Sequence, residues 1–229
     1  VTWDVDSAEK EGFEHFTLKE IFEQPKGVKE TLMRRLNAKD EIVLEGVSLT
    51  ADILKEINKV YIVACGTAYH AGLVGRRAIE MFAKIPVECD VASEFRYRDP
   101  FVDDKTLFIA VSQSGETLDT LQSLREAKRK GARVLSIVNV VGSSVARESD
   151  DLLYTWAGPE IGVASTKAYT TQLTAFYLLA LYMGRLNGKL SDEKYTEVIA
   201  EMKKMPHKIA EVLEHSDQIQ KLAAAQFNN

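Results

Sequence analysis

The feature that most constrains this chain is a change of period at residue 59, where short, largely apolar runs begin to alternate with longer amphipathic segments. The runs are Val60-Tyr61-Ile62-Val63-Ala64, residues 87–91, Leu107-Phe108-Ile109-Ala110-Val111, residues 134–138 and Leu152-Leu153-Tyr154. Between them, helical spacing covers 69–83 and 117–130. Strands joined through helices pair in parallel, and strands apolar at every position are covered on both faces. The pattern therefore predicts an α/β fold: a doubly wound three-layer sandwich around a five-stranded parallel sheet, with right-handed crossovers placing helices on both sides.

On either side of this alternation the spacing is helical. Leu18, Ile21, Phe22, then Val28, Leu32, Leu36, then Ile53, Leu54, Ile57 predict a helical lead-in over 16–58, with Pro25 tolerated at a helix start. Beyond the last run the sequence predicts a long helix over 166–186, with Leu173, Phe176, Tyr177, Ala180 and Leu181 on one stripe and Asn187-Gly188 as its stop. Two further helices are predicted over 191–204 and 205–224. The division expected is 1–58 as a lead-in packed on the lobe and 59–229 as the lobe with its C-terminal helices, one structural domain overall. The last helical pattern runs almost to Asn229, and this boundary reads as a truncation.

Composition narrows the function. The chain of 229 residues is 45% hydrophobic and 28% charged, with net charge -5, so a general attraction for nucleic acid or anionic lipid is excluded and any anion must be held by a local device. Cys65 and Cys89 lack CxxC spacing and a histidine cluster, which predicts a reducing compartment and no metal. The polar opening is no secretory signal, and residues 173–183 are too short an apolar stretch to span a bilayer. A cytoplasmic protein without a membrane or nucleic-acid partner is expected.

In open parallel sheets ligands bind beyond the carboxyl ends of the strands. After the first run comes Cys65-Gly66-Thr67-Ala68, a small-residue turn entering a helix. After the third comes Ser112-Gln113-Ser114-Gly115-Glu116-Thr117, where three hydroxyls and a glycine crowd the opening of the next helix. Free N–H groups at a helix start attract anions, and hydroxyls complete a phosphate cradle without lysine or arginine. The competing explanation is that Ser112, Ser114 and Thr117 are helix caps. Glu116 opposes an anion unless its side chain turns away. A third loop, residues 158–167, enters the long helix with Ser165-Thr166 at its start, where a cap is again the alternative. Residues 139–144 are read as loop structure.

His15, His70, His207 and His215 lie in helical contexts without a paired carboxylate and hydroxyl, so no catalytic dyad is nominated. Arg96-Tyr97-Arg98, flanked by Glu94 and Asp99, reads as a solvated loop or subunit contact. Dinucleotide, P-loop and common hydrolase fingerprints are absent from the sequence.

These same motifs carry a resemblance. Val63-Ala64-Cys65-Gly66-Thr67, Ala92-Ser93-Glu94-Phe95-Arg96-Tyr97-Arg98, the 112–117 turn and Glu160-Ile161-Gly162-Val163-Ala164-Ser165-Thr166-Lys167-Ala168-Tyr169 resemble the isomerase region of the glutamine:fructose-6-phosphate aminotransferases. The opening, with Lys19-Glu20-Ile21 and Glu23-Gln24-Pro25, resembles the segment that follows the glutaminase domain there. The resemblance covers essentially the whole chain and points to the first sugar-isomerase (SIS) lobe, a flavodoxin-like fold.

It implies an enzyme that takes ammonia from glutamine and turns fructose 6-phosphate into glucosamine 6-phosphate, with no cofactor. The sugar's phosphate is then held by Ser112, Gln113, Ser114 and Thr117, and the sugar is touched by Cys65, Gly66, Thr67, Val163 and Ser165. Some relatives carry serine where this chain has Ala68. A glutaminase domain before Val1 and a second SIS lobe after Asn229 are implied, together with the catalytic lysine, glutamate and histidine. The lone chain is thus expected to bind phosphosugar, to catalyse nothing and to pair as a homodimer. The rivals are a stand-alone sugar-phosphate sensor, for which the acidic lead-in offers no basic helix-turn-helix, and a dimerisation module.

Overall fold

The computed structural model describes residues 9–227. The start of the polar opening and the terminal Asn228-Asn229 lie outside them. Five strands, β1 (Lys59–Ala64), β2 (Val87–Val91), β3 (Thr106–Ser112), β4 (Arg133–Val138) and β5 (Asp151–Tyr154), form one sheet in the order β2-β1-β3-β4-β5. Every pairing is parallel, as the alternation of short apolar runs with helices predicts. The central β3 is buried at all seven positions, whereas the edge strand β2 exposes Glu88.

The helices cover both faces. On one side α4 (Gly66–Phe82) packs on α8 (Lys167–Leu186) over Ile62, Ile109 and Ile137. On the other, α5 (Ala92–Phe95), α6 (Leu118–Arg129) and α7 (Ser144–Glu148) cover Val63, Phe108 and Val134. There the Phe95 ring sits 5.1 Å from Tyr61 and 5.2 Å from Phe108, at angles that favour aromatic pairs. The α8 stripe is wider than its sequence period predicts. Ala175, Leu178 and Leu179 are as buried as Phe176 and Ala180, because α8 is enclosed by α4, α2 and the sheet.

The lead-in departs from the helical expectation in its middle. It forms α1 (Phe16–Phe22), α2 (Gln24–Met33) with Pro25 in its first turn, and α3 (Ala51–Glu56), but residues 34–50 are not helical. Asn37 nucleates a turn there, its Oδ1 accepting from Lys39 N and Glu41 N at 2.8 and 3.0 Å. The segment then runs beside β5, where Leu152 N donates to Gly46 O at 2.7 Å. Leu44, Val47 and Leu49 are buried by these tertiary contacts and not by a helix face.

Asp151 secures that docking. Fully buried, it accepts from Ser48 N at 2.7 Å, Ser48 Oγ at 2.8 Å and Arg133 Nε at 2.7 Å. Burial pushes its carboxyl up, but the Arg133 and Ser48 hydrogen bonds outweigh this and hold it below the usual carboxylate range.

The C-terminal helices differ too. In place of a break at 204, α9 runs from Asp192 to Leu213 through Pro206, and α10 covers Ser216–Gln226. A proline inside a helix removes one N–H and crowds the carbonyl four residues back. The residues around Pro206 are mostly exposed, while Met202, four residues back, is buried. The predicted stop of α8 is present, with Asn187 at the C-cap and Gly188 at φ 67°. No helix among the described residues is long and apolar enough to cross a membrane.

Candidate functional site

The strand order reverses between β1 and β3: the chain leaves β1 toward β2 on one side, and β3 lies on the other. In open parallel sheets such a reversal is where ligands bind, between loops that diverge from the carboxyl ends of the two strands. Ala64 pairs with Val111, so Cys65 and Ser112 leave the sheet side by side. Both turns singled out from sequence therefore flank this reversal point. Cys65 is the N-cap residue of α4, Gly66 takes φ +57°, and Gly66 and Thr67 are exposed. Ala68 is buried among the core residues beneath the turn.

Hydrogen bonds fix the second turn. Ser112, 3% exposed, accepts from Gly115 N at 2.9 Å and lies 3.1 Å from the Thr117 hydroxyl. Ser114 Oγ accepts from Glu116 N at 3.2 Å. Thr117 is the N-cap residue of α6, yet its side chain makes no cap bond, so capping does not account for it. A hydroxyl that accepts keeps its hydrogen, so Ser114 and one of the Ser112–Thr117 pair retain donors. The first N–H groups of α6 have no acceptor within the helix and add to them. Gln113, Ser114 and Thr117 are half-buried at the rim.

Gly115 is required by this shape. It sits at φ +66°, and a Cβ there would lie 2.0 Å from Ser143 Oγ and 2.6 Å from Ser143 Cβ. Glu116 turns away: its Oε1 accepts from Ser144 N at 2.8 Å, and the Ser144 hydrogen bonds hold its carboxyl below the usual range. The carboxylate thus serves the start of α7, which removes the conflict the sequence posed.

The third loop is held from several directions. Asn139, at the end of β4, donates from its backbone to Gln113 O at 3.1 Å and from Nδ2 to Gly158 O at 2.7 Å, tying the second turn to the third loop. Glu160 Oε1 accepts from Thr166 N at 2.9 Å and Ala168 N at 3.1 Å, and Ser165 Oγ donates to Glu160 Oε2 at 3.1 Å. The α8 terminus is therefore capped by Glu160, and Thr166 makes no side-chain cap bond. Val163, at 105%, is fully exposed, and Ser165 is half-buried.

Sequence reasoning missed Glu20 and Glu160, which shape this loop, and Ser143, whose buried hydroxyl beside Gly115 has no hydrogen-bond partner. A capping role for Glu160 was legible in principle from a carboxylate shortly before a helix. The four histidines are all exposed. Arg96–Arg98 form a single 3-10 turn in which Arg98 meets Asp90 at 3.2 Å and Arg96 stacks on Tyr97. Among the described residues no cluster fit to hold a metal ion occurs.

The SIS domain family model matches residues 53–182, which takes in β1 through β5 and both turns. The chain belongs to the SIS domain family. This SIS domain is 58% identical over its whole length to the glutamine–fructose-6-phosphate aminotransferase of Caldanaerobacter subterraneus subsp. tengcongensis, of which it covers 38%. It is 57% identical over 98% of its length to that of Clostridium tetani, covering 37%. Among solved structures, the C-terminal domain of glucosamine-fructose-6-phosphate aminotransferase from Francisella tularensis superposes with a TM-score of 0.89 at 40% identity, over 94% of this chain and 60% of that one. The SIS domain therefore spans little more than a third of the length of these enzymes.

Proposed function

We propose that this chain is the first SIS lobe of a glutamine-dependent enzyme that makes glucosamine 6-phosphate from fructose 6-phosphate, and that it holds the phosphosugar. The observation that carries this reading is the reversal of strand order between β1 and β3, flanked by the Cys65-Gly66-Thr67 turn and by a hydroxyl-rich turn whose single carboxylate points elsewhere. An uncharged cradle of hydroxyls and helix N–H groups suits a phosphate dianion. Ser112, Gln113, Ser114 and Thr117 take the phosphate, and Cys65, Gly66, Thr67, Val163 and Ser165 take the sugar. The names of the relatives support the substrate class.

In this reading 1–58 is a lead-in packed on the lobe, 59–229 is the lobe itself, and ring opening and ammonia transfer belong to other parts of a longer parent chain working in the cytoplasm. The lone chain binds and does not turn over. Its partner is the second SIS lobe of that parent or, in isolation, a second copy. Exposed Met205, Val212, Ile219, Leu222 and Phe227 on and after α9 support such a partner.

Calorimetric titration of fructose 6-phosphate and glucosamine 6-phosphate tests the reading, with unphosphorylated fructose as the control. Saturable binding, lost when Ser112, Ser114 and Thr117 are changed to Ala in a variant that still melts cooperatively, is the expected outcome. Equal binding by that variant would place the phosphate elsewhere.

A further inference from the structure

The lead-in does more than cover the lobe. Glu20 in α1 is 2% exposed, and its carboxylate reaches the third loop: Oε1 accepts from Ile161 N at 2.6 Å and Gly162 N at 3.0 Å, and Oε2 from Gly162 N at 3.2 Å. The approach is close enough that a Cβ on Gly162 would fall 2.6 Å from Glu20 Oε2 and 2.7 Å from Thr17 Oγ1. Three residues further along the lead-in, Glu23 pairs with the buried Lys167 at the start of α8. Glu160 binds the other end of the same loop through Thr166 N and Ala168 N. Residues 163–165 are thus a short bridge between two carboxylate anchors, one of which comes from 141 residues away in sequence.

We propose that Glu20 is a positioning residue: by clamping the Ile161 and Gly162 N–H groups it holds Val163 and Ser165 where they meet the sugar half of a phosphosugar, while the phosphate half is held at Ser112–Thr117, which Asn139 ties to the loop only at Gly158, outside the clamped residues. This rests on the function proposed above and deepens it. A charge-assisted hydrogen bond to a backbone N–H orients a loop without touching the ligand. Losing the clamp therefore affects recognition of the sugar and leaves recognition of phosphate intact.

The test is an NMR titration of the ¹⁵N-labelled 229-residue chain with glucosamine 6-phosphate and, separately, inorganic phosphate. It compares the wild type, Glu20→Ala, Glu20→Gln and Gly162→Ala. Glu20→Ala lowers glucosamine 6-phosphate affinity by about tenfold, the scale of one charge-assisted bond, with phosphate affinity unchanged and faster hydrogen exchange at Ile161 and Gly162. Glu20→Gln keeps an acceptor oxygen and recovers most of the loss, whereas Gly162→Ala, which forces the clamp apart, repeats it. Unchanged preference for the sugar phosphate in Glu20→Ala overturns the inference, and so does an equal loss for both ligands, which marks a general structural defect. A wild type that binds inorganic phosphate as tightly as glucosamine 6-phosphate removes the underlying functional reading, and the inference with it.

Discussion

Replacing Gly115 by alanine tests the geometry of the cradle most directly. Two costs arise at once. The left-handed conformation at φ +66° costs an L-residue about 1–2 kcal/mol. The new methyl would also lie 2.0 Å from Ser143 Oγ and 2.6 Å from Ser143 Cβ, and because the Cβ cannot rotate aside the turn itself must shift. Overpacking of this kind costs about 1–3 kcal/mol, so Gly115→Ala is expected to lose about 2–5 kcal/mol in all. The two parts separate in a double-mutant cycle. Ser143→Gly removes both offending atoms, leaving Val138 Cγ1 as the nearest neighbour at 3.6 Å, an ordinary contact. It forfeits no hydrogen bond, since Ser143 Oγ has none. Urea unfolding followed by circular dichroism, with unchanged m-values, is expected to show Gly115→Ala less costly in the Ser143→Gly background by about 1–3 kcal/mol. A cost below about 1 kcal/mol in the wild-type background, or full additivity, would refute the packing argument.

Two further perturbations probe the frame around the site. Asp151→Asn is expected to cost about 2–3 kcal/mol, less than breaking a fully buried pair because Arg133 keeps 26% of its side chain exposed. Since the folded pKa of Asp151 is depressed, its contribution is present above the unfolded carboxylate pKa and is lost as pH falls through the folded one. The urea midpoint of the wild type should therefore fall more steeply than that of Asp151→Asn below about pH 4, and parallel profiles would contradict the assignment. Burial pushes the Cys89 thiol up to about 12, and its sulfur donates to Gly72 O, so at pH 8 it should resist a thiol reagent that labels the unfolded chain rapidly. Rapid labelling of native Cys89, located by mass spectrometry, would count against its placement.

The sheet was legible because its physics is local. A strand covered on both faces is mostly apolar along its length, and β3 shows this from Leu107 to Val111 without interruption. The two turns were legible for a related reason, as hydroxyls and glycine concentrate where a strand end meets a helix start. Residues 34–50 were not legible, because Leu36 mimics a helical period while the turn at Asn37 and the docking against β5 decide the backbone. The passage of α9 through Pro206 was equally hidden, since local propensity says stop at a proline. Glu20 left no trace at all. One carboxylate in a charged helix looks solvated until the backbone it binds is brought to it from 141 residues away.

That separation also sets a timetable. Glu20, Glu23, Thr31 and Ser48 all find their partners in residues 103 to 144 positions further along the chain. A ribosome adding about 5–20 residues per second exposes the lead-in for roughly 5–30 s before β5 and α8 exist to receive it. Val28 and Leu32, 3% and 1% exposed in the finished fold, spend that interval without their final contacts. The lead-in waits for β5 and α8, and the loop it clamps is completed only when synthesis has passed Lys167.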